Sequence, residues 1–114
     1  MKNSINIAKK VINNEIDALK KLLPRLDNNF ETIVHAILNC SGKVIVIGVG
    51  KSGHVGRKIS STFSSTGTPS YFLHPSEAMH GDLGVITSTD IVILISNSGQ
   101  SSEIINLIPT IKKL

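Results

Sequence analysis

The hydrophobic pattern of the chain changes period twice, and those changes predict its elements. From Ser4 to Leu23, Ile5, Ala8, Ile12, Ile16, Leu19 and Leu23 recur at helical spacing between lysines and asparagines, which predicts an amphipathic helix ended by Pro24. A second helix is predicted over Asn29 to Cys40. Its apolar positions are Phe30, Ile33, Val34, Ile37 and Leu38, Asn28 is the expected N-cap with Glu31 three residues on, and Gly42 the expected C-cap. Then the period disappears. Val44 to Ile47 is a continuous β-branched run, the pattern of a strand covered on both faces. Ser70–Leu73 and Ile91–Ile95 read as two further strands.

Between the strands the pattern returns to helix. Val55, Ile59, Thr62 and Phe63 predict a helix over Gly53 to Ser65, closed by Gly67, Thr68 and Pro69. His74 to Leu83 is polar and reads as a functional loop or short helical turn. A last helix carries Ile104, Ile105, Leu107, Ile108, Ile111 and Leu114, and Pro109 inside it is expected to kink it. Strands alternating with helices predict an α/β fold: a three-layer αβα sandwich on a parallel sheet, flavodoxin-like and preceded by two helices. Residues 1–41 are expected to form a helical segment packed on the core, and 42–114 the sheet-bearing part.

In such sheets ligands bind beyond the C-terminal ends of the strands. Two turns are expected there. Gly48-Val49-Gly50-Lys51-Ser52-Gly53 follows the first strand and runs into a helix whose N-terminal N–H groups favour an anion. Ser96-Asn97-Ser98-Gly99-Gln100-Ser101-Ser102-Glu103 follows the third strand and brings four hydroxyls into one connection, donors that hold a phosphate without a metal. For one serine taken alone, an N-cap with Glu103 compensating the helix dipole is the simpler reading; the whole cluster opposite a second glycine turn favours phosphate. The spacing of Gly48, Gly50 and Gly53 spells a dinucleotide fingerprint. The acid that reading needs at the end of the second strand is absent before Glu77, which weighs against a nicotinamide cofactor. The P-loop reading fails because Ile45 stands where that motif needs glycine. His74, Glu77, His80 and Asp82 cluster in one loop; a zinc site is conceivable, but acid–base or hydrogen-bonding work for a histidine is the better reading. His35 and His54 are weaker candidates.

Composition narrows the classes. The 114 residues are 40% hydrophobic and 18% charged, an ordinary globular balance. The net charge is +4, but the lysines are scattered and aromatics are few, so no nucleic-acid partner is expected. The single cysteine, Cys40, excludes an internal disulfide and a cysteine-rich metal site. No apolar run approaches the roughly 20 residues of a membrane span, and the N-terminus lacks a signal-peptide core, so no membrane association and a cytoplasmic location are expected.

The segments GKSGHVGRK, STGTP, HPSEAMHGDLG and SNSGQSSE together resemble the sugar isomerase (SIS) domain of D-arabinose 5-phosphate isomerases. The likeness is strong from Gly42 to Leu114 and weaker over the two N-terminal helices. It implies an aldose–ketose isomerase that interconverts D-arabinose 5-phosphate and D-ribulose 5-phosphate through an enediol, on the route to the lipopolysaccharide sugar 3-deoxy-D-manno-octulosonate. By the same resemblance Ser52, Ser96, Ser98 and Ser101 hold the substrate's phosphate, and Asn97 binds substrate. Gly67 and Thr68 line the sugar site. His74 touches substrate or a bound zinc, and His80 touches substrate. Lys51, His80 and Glu103 are the catalytic residues: Glu103 suited to proton transfer, Lys51 to stabilising the developing negative oxygen. No cofactor is required; zinc is the one candidate. The family is homo-oligomeric, tetrameric in its members, with a small sugar phosphate as partner. Members continue with more strands and helices, and many with CBS modules. The expectation is therefore a domain truncated after its first part and lacking CBS modules. A non-catalytic sugar-phosphate-binding module is the alternative.

Overall fold

The computed structural model describes residues 3–114 and divides into two compact units, 1–35 and 36–114. The first unit contains helix α1 (Ser4–Lys20), a 3-10 turn at Leu23–Arg25 that carries Pro24, and most of helix α2 (Asn28–Leu38). The turn that starts α2 is set by Asp27, not Asn28. The Asp27 carboxylate accepts from the Asn29 N–H at 2.9 Å and its carbonyl accepts the N–H of Phe30. Asn28 is already helical.

The second unit is built on a three-stranded parallel sheet of order β2-β1-β3, with β1 at Val44–Gly48, β2 at Ser70–Leu73 and β3 at Ile91–Ile95. All three strands fall where they were predicted, β1 and β3 on β-branched runs and β2 at Ser70–Leu73. β1 is central and wholly buried. Its side chains alternate between two layers. Val46 and Phe72, which are register partners, lie under helix α3 (Gly50–Ser65). Ile45, Ile47 and Leu73 face the other way and form the core with Ala78 of helix α4 (Pro75–Met79), Ile86, and Ile104 and Leu107 around helix α5 (Ser102–Ile105). This is the expected α/β sandwich, helices on both faces.

Three glycines permit close approach. A Cβ on Gly48 would lie 2.9 Å from the Ser52 carbonyl oxygen, and one on Gly53 would lie 2.8 Å from the Gly48 carbonyl oxygen. The first turn of α3 therefore sits against the end of β1, and α3 begins at Gly50, three residues before the predicted start. Gly42 is not the C-cap of α2, which ends at Leu38. It lets the chain pass the Asp90 carboxylate and the Thr89 backbone. The predicted C-terminal helix is two pieces, α5 and α6 (Ile108–Lys113), with Pro109 in the first turn of the second. Pro109 has no N–H to carry one helix through, so the break falls just before it.

Candidate functional site

The chain leaves β1, crosses by α3 on one face to β2, then returns past β1 by α4 on the other face to β3. Opposite directions on opposite faces give both crossovers the same hand. They place the point where strand order reverses between β1 and β3. Gly48 is in register with Ile95, so the glycine turn after β1 and the serine turn after β3 leave adjacent strands at the same level.

The serine turn is locally ordered by its own hydroxyls. Ser96 Oγ accepts from the Gly99 N–H at 3.0 Å and Ser98 Oγ from the Gln100 N–H at 3.1 Å. Acting as acceptors, both hydroxyls keep their O–H protons for a ligand anion. Ser101 occupies the N-cap position of α5 but makes no side-chain cap bond. Its O–H instead donates to Glu103 Oε2 at 2.7 Å, so the residue whose simplest reading was a cap is tied to the candidate base. Asn97 belongs to the same exposed turn.

On α3, Gly53, Gly56 and Ser60 define the buried side. At about 100° per residue, Ser52 lies about 70° to one side of that direction, toward β3, and Lys51 lies nearly opposite it. Lys51 is accordingly exposed, without a hydrogen bond or ion pair among the described residues. His80 ends α4, which packs against α5, so it shares a layer with Glu103; it too is exposed. Ser52, the serine turn and Glu103 thus lie at the same end of the sheet, as do Lys51 and His80.

Two expected site residues lie elsewhere. Gly67 and Thr68 precede β2, at the N-terminal end of a parallel sheet, and line a hollow with Leu38, Cys40, Gly42 and Pro69. Strands of this length separate the two ends by more than about 10 Å. Within one chain these residues stand at the end of the sheet opposite the two turns, separated from them by the length of β2. His74 stands at the correct end but on the far flank of α3, in a cleft of about 220 Å³ lined by Gly50, Gly53, His54, Arg57 and Phe72. Arg57 is the residue that motif reading passed over, and His54 one it ranked as a weaker candidate. Their spacing of three on one helix was the available signal, since such positions share a face.

The residues present do not fit zinc. Among the described residues no three His, Cys, Asp or Glu side chains gather as a metal group. His74 Nδ1 is already occupied, accepting the Ser76 N–H at 3.1 Å. One remaining imidazole nitrogen falls short of the three or four protein ligands that zinc takes.

The model of the SIS domain family matches residues 37–114. An arabinose 5-phosphate isomerase KdsD of Shigella flexneri is 55% identical over 106 residues, covering 93% of this chain and 32% of that protein. The KdsD of Pseudomonas aeruginosa is 50% identical over 110 residues, 96% of this chain and 34% of its own length. The chain thus spans about a third of these relatives. Among solved structures, that of an E. coli CFT073 protein in complex with arabinose 5-phosphate superposes with a TM-score of 0.92 at 45% identity, over 98% of this chain and 60% of that one. A Listeria monocytogenes structure described as a sugar-phosphate isomerase gives 0.77 at 34% identity, over 92% and 59%. No helix among the described residues is long and apolar enough to cross a membrane.

Proposed function

The chain belongs to the SIS domain family, and from that membership we propose that it binds the phosphate of a sugar phosphate between the glycine and serine turns. We further propose that it contributes this site to an isomerase of D-arabinose 5-phosphate and D-ribulose 5-phosphate. The observation that carries the reading is the register of Gly48 with Ile95, which sets both turns at the point where strand order reverses. The names of the similar proteins supply the substrate.

The residues divide the work by chemistry. Ser96 and Ser98 offer O–H donors, Ser101 is tied to Glu103 through its own, and Ser52 stands on the flank of α3 that faces them. Glu103, beside this group, removes the C2 proton of the aldose. The electron pair becomes the C1–C2 double bond of an enediol, and proton return at C1 with loss of the C2 hydroxyl proton gives the ketose. The substrate oxygen gains negative charge as the enediol forms, and Lys51 is the cation at this end of the sheet that stabilises it; His80 hydrogen-bonds the sugar hydroxyls. In this reading the chain works in the cytoplasm as part of a homo-oligomer, at the entry to 3-deoxy-D-manno-octulosonate synthesis.

One observation favours a second reading, binding without turnover. Lys51 makes no hydrogen bond or ion pair among the described residues, while Ser101 is tied to Glu103. Proton NMR of D-arabinose 5-phosphate with the chain in D₂O separates the two. Loss of the C2 signal as ribulose 5-phosphate appears, abolished by Glu103→Gln with saturation transfer retained, establishes the isomerase. Saturation transfer without exchange establishes the binding module. Absence of both from a folded chain overturns the phosphate site. Ser98→Ala is expected to weaken saturation transfer by about tenfold, the loss of one charge-assisted hydrogen bond.

A further inference from the structure

We propose that the cleft on the β2 side of α3 is a second anion site, distinct from the serine turn, that takes a compact oxyanion: the phosphate or carboxylate of a small metabolite. Its lining is Gly50, Gly53, His54, Arg57, Phe72 and His74. No carboxylate lies among them, and every polar side chain has an N–H to give. The Arg57 guanidinium carbon sits 4.3 Å from the centre of the Phe72 ring. Stacking of that kind holds the cation in place and leaves its N–H edge free for a planar or tetrahedral oxyanion.

Arg57 has no acidic partner among the described residues, whose ion pairs are His35 with Glu31 and Lys43 with Asp90. His74 accepts the Ser76 N–H at Nδ1, which assigns the proton of its neutral ring to Nε2 as a further donor. His54, three residues before Arg57, shares its face of α3. The floor carries no side chain at Gly50 or Gly53, and a Cβ on Gly50 would meet nothing within 4 Å. The cleft, about 220 Å³, has room for a small molecule and more than a single water.

The site is separate because of helix geometry. Taking the direction of Gly53, Gly56 and Ser60 as inward, Arg57 and His54 lie about 70–130° to one side and Ser52 about 70° to the other. An anion held by Ser52 and the serine turn cannot also reach Arg57 without crossing the helix.

The test is a ¹H–¹⁵N NMR titration of the labelled chain, first with inorganic phosphate and then with D-gluconate. The Phe72 and His74 amides and Arg57 Nε–H report the cleft, being outside the glycine turn; the Gly99 and Gln100 amides report the serine turn. The expected result is two groups of shifts with separate midpoints. Arg57→Leu and His54→Asn each weaken the cleft midpoint about tenfold or more and leave the serine-turn group in place. Ser98→Ala does the reverse. Response to only one probe identifies the oxyanion as phosphate or carboxylate. The proposal is overturned if the cleft signals stay still with both probes. It is equally overturned if they share one midpoint with Gly99 and respond to Ser98→Ala. Should Arg57→Leu lose its dispersed spectrum, His54→Asn, an exposed change, decides alone.

Discussion

Asp90 shows how one side chain can hold two strands. Its carboxylate is buried and accepts three hydrogen bonds, each of 2.8 Å, from the Lys43 N–H, Lys43 Nζ and the Thr87 N–H. Burial alone would raise its pKa; the Lys43 ammonium and the two backbone N–H groups outweigh that and lower it from 3.8 to about 2. A carboxyl whose folded pKa is depressed adds stability above its unfolded pKa and loses it as pH falls through the folded value. Asp90 is therefore expected to add about 2 kcal/mol at neutral pH, fading between about pH 4 and pH 2. Urea melts of the parent and Asp90→Asn across that range check it: the gap between them should close toward pH 2, and a constant gap refutes the assignment. Gly53 is the second such residue. Glycine to alanine inside a helix ordinarily stabilises by about 1 kcal/mol. Here the new Cβ would meet the Gly48 carbonyl at 2.8 Å, and backbone cannot step aside. Gly53→Ala is expected to cost about 1–3 kcal/mol, read as a lower denaturation midpoint.

At the scale of elements, local pattern was a good guide where burial is uniform and a poor one where glycine or backbone contact decides. β3 could be read because a continuous apolar run leaves little else for it to be, and β2 because Tyr71 and Phe72 follow a Gly-Thr-Pro break. The start of α3 could not, since Gly50 and Gly53 argue against helix locally: Gly50 enters it with a φ of 61°, and Gly53 is helical where α3 is pressed onto the end of β1. Gly42 was misread for a related reason: a glycine after a helix resembles a C-cap, and its contact with Asp90 spans a sequence gap that no local rule covers. The core of β1 gives a further prediction. Ile45 is fully buried among Ile47, Leu73 and Ile104, and Ile45→Ala is expected to cost about 2–5 kcal/mol in equilibrium unfolding. A cost under about 1 kcal/mol would mean that the helices of that layer close over the cavity.

At the scale of the molecule, the strand order makes the site. It brings Ser52 of α3 to the turn after β3, across more than forty residues of sequence, and sends Gly67 and Thr68 to the other end of the sheet. Thr68→Val should accordingly leave phosphate affinity within about twofold of the parent in the same NMR titration, less than the loss of one hydrogen bond. A larger loss would place Thr68 in the site of a neighbouring copy. The candidate site was legible in part. Four serines in one connection and a glycine turn after a buried strand are visible as letters, because hydroxyl clusters and tight turns are local chemistry. The cleft of His54, Arg57 and His74 was not, because stacking Arg57 on Phe72 needs α3 laid over β2. Most of the elements, the α/β class and the family could be read from the residues in line, since each rests on neighbours within a few positions. Which turns share a site, which residues fall outside it and where a second cluster of donors forms could be read only from the folded chain. Those depend on strand order and helix rotation, which arise only when the two faces of β1 are buried at once.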